Sequence, residues 1–434
     1  MLVDADHVHE TLLSLPHVKR LASLCRNRGA YIVGGAIRDA LLELPINDLD
    51  IIFPDDPTEL AKSFARQMSG SWFWLDKDRR QSRVVFNAEA NSPDFDFAPF
   101  RAPTLGQDLL DRDFTINAMA IPLKADCIEN ELVDPLCGVD DLQNNVLRMV
   151  GSRTFTSDPL RIIKGIRHAT VLGVEPDQET LCSMQREVTG LYRIADERIR
   201  QEIWGILASK NVSRGLRLLS SSLVGNYLFS KDYSTVTEDV ADRFEACRIR
   251  WQALKRECPI IDGWLATDVE QGLSCETLIL WTLMLARIDQ SLPARLADEW
   301  MLSRRAQANI RGLVAIEASS LEDLASVYHS ERAFARWAHK THVDPKILLL
   351  TLAVLGSEHP ISLIASWAPL VDSLEGKSPD DFVNGHWLRE ELGIQDGPEM
   401  TRALSLVREA EISGEVKSEE EAHNLLLRHY TNMD

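Results

Sequence analysis

Tyr31-Ile32-Val33-Gly34-Gly35-Ala36-Ile37-Arg38-Asp39, followed shortly by Asn47-Asp48-Leu49-Asp50-Ile51-Ile52-Phe53, decides how the first third of this chain reads. Tyr31 to Val33 has strand character, the glycines make a turn, and a helix runs to Leu44, where Pro45 ends it. Glycine lets backbone lie close to a ligand, and a helix N-terminus suits phosphate. Arg38, one turn in, could fork onto phosphate oxygens. A lone Gly-Gly is a weak signal, and the same residues also describe an ordinary turn with an exposed arginine. The next segment is more informative. Residues two apart on a strand share a face, so Asp48 and Asp50 project together and away from Leu49 and Ile51. Two adjacent carboxylates repel, and Mg²⁺ relieves that repulsion with oxygen ligands and substrate phosphates. A capped turn with two solvated aspartates is the alternative.

Further short strands are expected at Arg83–Asn87, Phe95–Ala98 and Ala118–Ile121. On the second of these, Asp94 and Asp96 share a face opposite Phe95 and Phe97. Asp96 is thus a candidate third catalytic carboxylate for a two-metal site, or merely part of an exposed edge. From about Ser157 the texture turns helical, rich in Leu, Ala, Arg and Glu. The 434 residues suggest about three domains at ~150 residues each. The expected division is an α/β head over 1–150, a helical neck over 151–218, and a helical body and tail over 219–434. Joints within the body are expected near Ser220–Lys231 and Cys258–Ser274.

Lys and Arg total 47 against 66 Asp and Glu, a formal charge of −19, which alone argues against a nucleic-acid partner. Seven scattered cysteines (25, 127, 137, 182, 247, 258 and 275) form no C-x-x-C pair, so neither a disulfide framework nor a zinc site is expected. The longest apolar runs, Leu278–Ala286 and Ile347–Leu355, are about half a bilayer span. No signal peptide is evident, and the cytoplasm is the default compartment.

In order, the chain carries Gly34-Gly35-x-x-Arg38-Asp39, Asp48-x-Asp50, then Arg112-Asp113-Phe114-Thr115-Ile116-Asn117-Ala118-Met119-Ala120. Asp134-Pro135-x-x-Gly138-x-x-Asp141, Asp158-Pro159-Leu160-Arg161 and Glu197-Arg198-Ile199-Arg200-x-Glu202 follow. Over residues 30 to 205 this series resembles the class II tRNA nucleotidyltransferases, which include the bacterial CCA-adding enzymes and their poly(A) polymerase relatives. The Arg-Asp-Phe-Thr-Ile-Asn-Ala string is its most specific part.

The resemblance implies a polymerase-β-type nucleotidyltransferase head and an all-helical remainder, α+β overall. It implies transfer of CMP and AMP from CTP and ATP to a tRNA 3′ end, with Mg²⁺ as cofactor and pyrophosphate released. Carried across, Gly35, Arg38 and Arg112 would bind the nucleotide, and Asp48 and Asp50 would hold the metal. Asp158 and Arg161 would hydrogen-bond the incoming base, with Lys164 and Arg167 as further nucleotide-site cations. That pairing is chemically sound: a carboxylate accepts from the exocyclic amine of cytosine or adenine, which uracil and guanine replace with a carbonyl. On one helix, steps of three residues drift about 60°, so only adjacent members of the Asp158, Arg161, Lys164, Arg167 series should share a ligand.

Residues 148–217 hold 12 Lys and Arg against 8 Asp and Glu, a local 12 − 8 = +4. Phosphate contacts need such local groups rather than a basic protein, which softens the objection from charge. Arg198 and Arg200 are candidate RNA contacts. Being two apart on a helix, they point to different sides, so one at most should meet RNA while the other pairs with Glu197 or Glu202.

Departures from the family pattern occur at Asp111, where an arginine is usual, at Ser157, where an acid is usual, and at Lys164, where a planar fork becomes a point charge. The Arg101–Arg112 segment is short, and family members that add only CC tend to lack the longer loop. CC-only addition and poly(A) synthesis are therefore the alternatives within the class. A non-catalytic RNA-binding relic is disfavoured by the intact Asp48-x-Asp50. Nucleotidyl transfer to a small acceptor is disfavoured by the long helical body.

Overall fold

The computed structural model describes residues 5–26, 28–87, 92–124, 132–319, 327, 330, 333–334, 337–338, 341–355, 361–373, 382–412 and 415–431. The chain forms two compact units, residues 1–194 and 195–434. The border expected at 150 therefore falls inside the first unit, and the one expected at 218 falls inside the second. The helices assigned to a separate neck are shared between the two.

A six-stranded sheet organises the first unit: β1 (Tyr31–Val33), β2 (Asp48–Phe53), β3 (Ser71–Asp76), β4 (Gln81–Val85), β5 (Asp94–Pro99) and β6 (Ala120–Pro122). The spatial order is β3-β4-β5-β2-β1-β6. Only β2 and β5 run parallel, with Asp48 opposite Asp94 and Asp50 opposite Asp96. The Thr58–Met68 helix and the β3–β4 hairpin provide the crossover between them. β3 was not foreseen. Its Ser-Trp-Phe-Trp-Leu-Asp sequence is aromatic at alternate positions on both faces, as suits an edge strand.

Period-two alternation sorts the faces of β2 and β5. Leu49, Ile51, Phe53, Phe95 and Phe97 are fully buried on one side with Val84, beneath Ala61, Phe64 and Ala65 of the Thr58–Met68 helix. Phe64 meets the Phe95 ring edge-on at 5.1 Å. A slip of one residue would expose these rings, at about 1.5–3 kcal/mol for each large apolar side chain. The same register holds the aspartates on the other face. That face is covered at one end by the Leu105–Leu110 helix, where Leu109 packs on Val33, Ile52 and Ala120.

The Arg112–Ala120 string crosses beneath the Leu160–Leu172 helix. A Cβ on Gly165 would lie 2.5 Å from Phe114 Cζ and 2.8 Å from Met184 Cε. Asp134 accepts the N–H groups of Gly138 and Val139, and Asp141 accepts the Thr115 hydroxyl at 2.7 Å. The Asp-Pro-x-x-Gly-x-x-Asp motif is thus a brace for the string.

The second unit is helical, with one small departure from the all-helical expectation, a two-stranded hairpin of Asp268–Glu270 and Leu273–Ser274. Both apolar runs lie in core helices, Cys275–Ile288 and Pro345–Leu355. The joints expected at 220–231 and 258–274 hold the short helices Val224–Leu228 and Ile260–Ala266. Three C-terminal helices, Gly385–Leu392, Pro398–Ile412 and Glu419–Thr431, close over a small core of their own around Leu388, Val407 and Leu426. Among the described residues no helix is long and apolar enough to cross a membrane. The six described cysteines are free thiols; Cys137 and Cys182 are exposed, and Cys127 lies outside the described residues.

Gly165→Val should destabilise the protein by about 1–3 kcal/mol through overpacking against Phe114 and Met184. Urea unfolding should show this as an earlier transition. An unchanged midpoint would mean the helix does not bear on the string.

Candidate functional site

The open face of the sheet carries a row set by strand register: Phe73, Arg83, Asp96, Asp50 and Val33 are successive cross-strand neighbours. Asp48 and Asp94 form a second pair beside it. Asp48 and Asp50 both keep solvent-exposed surface on β2. Asp50 is nonetheless closely surrounded by protein. Burial pushes its carboxyl above the ordinary range; Arg112 opposes this and Asp96 reinforces it. Asp48 is shifted the same way by burial, with Arg83 opposing and Asp96 and Asp94 adding to the rise.

Gly34 shows why the turn needs glycine. Its φ is +78°, and a Cβ there would sit 3.1 Å from Arg112 Nη1 and 3.4 Å from Asp50 Oδ2. Gly34, rather than Gly35, brings backbone against the carboxylate; Gly35 lies against the Arg38 guanidinium instead. Arg112 is nearly buried and pairs with Asp108 at 3.3 Å. Its buried Nε has no hydrogen-bond acceptor. Asp108 also accepts the Arg101 N–H at 2.8 Å, and Thr104 caps its helix by accepting from Gln107. The short Arg101–Arg112 segment is therefore pinned at both ends by one buried carboxylate.

Arg38 is not an exposed fork. It is 8% exposed and bonded to Asp39 and, through Nη1 at 2.7 Å, to Asn117 Oδ1. Asn117 donates to Asp113 at 3.1 Å and faces His168 Nε2 at 3.4 Å. Lys164 completes the cluster by pairing with Asp113 at 2.7 Å. Burial alone would raise the Asp113 carboxyl, but Lys164 and the Asn117 hydrogen bond hold it well below the usual range. His168 is kept neutral by burial and by the nearby Arg38 and Arg167.

Asp158 stands before the Leu160–Leu172 helix rather than on it, accepting the Leu160 N–H at 3.2 Å. Asp158 and Arg161 are therefore not i, i+3 neighbours on one helix. Arg161 donates to the Asp111 and Arg112 carbonyls at 2.8 and 3.2 Å. Arg161, Lys164 and Arg167 are half-open positions on a mostly buried helix, one drifting stripe, with Lys164 spent on Asp113.

In the second unit, Arg198 is exposed on the Asp196–Leu207 helix, while Arg200 turns inward. Arg200 donates to the Trp300 carbonyl at 2.6 Å, lies 3.7 Å from Glu270 and stacks over Trp204. Of the two candidate RNA contacts, Arg200 is the one that meets a carboxylate, and that acid is Glu270 rather than the expected Glu197 or Glu202.

Arg83 was missed altogether. Its Nε and Nη2 clasp the two Asp96 oxygens at 2.7 and 2.8 Å, Nη1 reaches Asp94 at 3.2 Å and Nη2 reaches Asp48 at 3.5 Å. Its place between buried Ser82 and Val84 gave its face, but nothing local says which strand lies alongside. Asp108 was more legible, four residues before Arg112 on a helical turn. Among the described residues, no three His, Cys, Asp or Glu side chains converge as a metal cluster.

The Poly A polymerase head domain family matches residues 30–148, and the family described as a probable RNA- and SrmB-binding site of polymerase A matches residues 173–232. A CC-adding tRNA nucleotidyltransferase of Geobacter sulfurreducens is 29% identical over 98% of this chain and 97% of its own. A CCA-adding enzyme of Streptococcus thermophilus is 27% identical over 91% of each. The fold is shared with the Thermotoga maritima CCA-adding enzyme complexed with tRNA (24% identity, TM-score 0.62, 98% of each chain). It is also shared with a CCA-adding enzyme in complex with ATP (24%, TM-score 0.65, covering 95% of this chain and 94% of that one).

Lys164→Met should cost about 3 kcal/mol, the low end for a broken buried pair because Lys164 is 38% exposed. Adding Asp113→Asn should recover most of that loss in urea unfolding; no recovery would remove the pair from the account.

His168 has a folded pKa below its unfolded one, so below pH ~6.5 the unfolded chain binds a proton that the native chain refuses. Its contribution is present above pH ~6.5 and fades as pH falls, by at most about 1.4 kcal/mol per unit. Melting temperature should therefore drop between pH 7 and 5 more steeply than in His168→Gln. Parallel curves would mean the imidazole does not titrate this way.

Proposed function

The chain belongs to the class II tRNA nucleotidyltransferases, and we propose that it adds CMP and AMP to the 3′ end of tRNA from CTP and ATP, with release of pyrophosphate. The observation that carries the chemistry is the meeting of Gly34, Asp50 and Arg112 on the open face of the sheet. The acceptor is supported by near-complete coverage of relatives named for adding CC or CCA to tRNA.

The donor set fits Mg²⁺. Asp48 and Asp50 are hard oxygen ligands on one face, and burial pushes both carboxyls upward against the pull of Arg83 and Arg112, a cost that a divalent ion would relieve. Those two residues would hold the ion, which when bound supplies Lewis-acid activation of the 3′-hydroxyl and charge neutralisation on the phosphates. The chain's own groups do the rest. Gly34 admits a triphosphate close to Asp50 because no Cβ intervenes. Arg112 sets positive charge behind Asp50 and offers an unsatisfied Nε to a nucleotide oxygen. Arg161, held on the Asp111 and Arg112 carbonyls, and Asp158, which precedes its helix, are the proposed readers of the base edge. Gly35, Arg38, Lys164 and Arg167 support this site: Arg38 and Lys164 through the Asn117–Asp113 cluster, Gly35 against Arg38. Arg198 is the proposed RNA contact of the second unit.

A second reading, CC-only addition, is favoured by the pinned Arg101–Arg112 segment, which leaves no long loop there. One assay tests both. tRNAs lacking the CCA end, ending in C, or ending in CC are incubated with labelled CTP or ATP and resolved on a sequencing gel. CTP addition to the first two and ATP addition to the third is expected; loss of only the ATP arm would select the CC-only reading. Asp48→Ala and Asp50→Ala should each lower the rate at least ~10³-fold with the fold intact. Near-normal turnover in the folded variants would overturn the site.

A further inference from the structure

We propose that Arg83 is a positioning residue that keeps Asp96 out of the metal's ligand set, so that the site works with two carboxylates instead of three. The proposal rests on the reading of Asp48 and Asp50 as the metal pair.

By register alone, Asp96 is placed to ligate. It is the direct neighbour of Asp50 on the parallel β2–β5 pair of the six-stranded sheet and projects from the same face. It is also the direct neighbour of Arg83 on the other side. Arg83 takes both Asp96 oxygens in a fork, at 2.7 and 2.8 Å. A guanidinium keeps its proton and offers donors only, so it competes with a divalent ion for the same lone pairs and repels it. The other arm of Arg83 reaches Asp94 at 3.2 Å, which fixes the side chain across the strands. Asp48 and Asp50 escape this hold: Asp48 meets Arg83 at only 3.5 Å, and the cation that Asp50 feels most is Arg112, which it meets at Gly34. Arg83 therefore divides four carboxylates into a pair that is clasped and a pair left for the metal. It also cancels one of their four negative charges, so that a divalent ion is held less tightly than by an open cluster, since affinity rises with the charge of the ligands.

The test is Mn²⁺ binding to the full chain without nucleotide or tRNA, read by electron paramagnetic resonance. Arg83→Gln should bind Mn²⁺ about tenfold more tightly than wild type, because Asp96 joins the set. Asp96→Asn should change wild-type affinity less than about twofold, yet should abolish the gain in the Arg83→Gln background. Arg83→Lys, which keeps the charge but loses the fork, should fall between. Unchanged or weaker binding by folded Arg83→Gln would overturn the proposal, as would a tenfold loss in Asp96→Asn alone. The latter remains decisive even where Arg83→Gln fails to fold, because Asp96→Asn leaves Arg83 its Asp94 and Asp48 partners. Asp50→Ala is the separate control: Mn²⁺ binding that survives it refutes the metal pair itself, whatever Arg83 does.

Discussion

Parallel pairing of β2 with β5 concentrates four carboxylates on one face of the sheet, and the rest of the first unit is arranged around that charge. The pairing is enforced from behind. Phe53, Phe95 and Phe97 with Phe64 make a slip in register expensive, so the aspartates stay together although they repel. Arginines then answer the charge from two sides: Arg83 from β4 and Arg112 from the segment covering the far end of the face. Among the described residues the first bonds to acids, Asp96, Asp94 and Asp48, and the second keeps one nitrogen unsatisfied.

A second, buried cluster ties the sheet to the helix that follows it. Arg38, Asn117, Asp113, Lys164 and His168 come from the turn after β1, the Arg112–Ala120 string and the Leu160–Leu172 helix. Every charge in it has a counter-charge or a hydrogen bond, as burial requires. Its effect is to hold Arg161 over the Asp111 and Arg112 carbonyls, beside Arg112 itself. Residues that a motif reading sends to the nucleotide thus divide into those that face the site and those that hold it in shape.

The overall charge of −19 is compatible with an RNA substrate because cations are local. The half-open stripe of Arg161, Lys164 and Arg167 and the exposed Arg198 lie in the stretch whose local balance is +4. Counterion release depends on such groups, not on the total.

Sequence by itself determined the strand–turn–helix after Tyr31, the shared face of Asp48 and Asp50, the α/β character of the first part and the helical character of the second. These follow from periods of two and 3.6 and from glycine's freedom, all properties of neighbours along the chain. The family was legible too, from ordered motifs. Only tertiary structure decided what each charged side chain meets. Arg38 and Lys164 point inward to Asn117 and Asp113, Arg200 to Trp300, and Arg83 to Asp96, because their partners lie on strands and helices brought alongside by topology. Domain borders likewise depended on which helices pack on the sheet. A periodic pattern gives the face on which a side chain stands; it contains no information about which strand becomes its neighbour, and in a cluster of buried charge the neighbour decides the role.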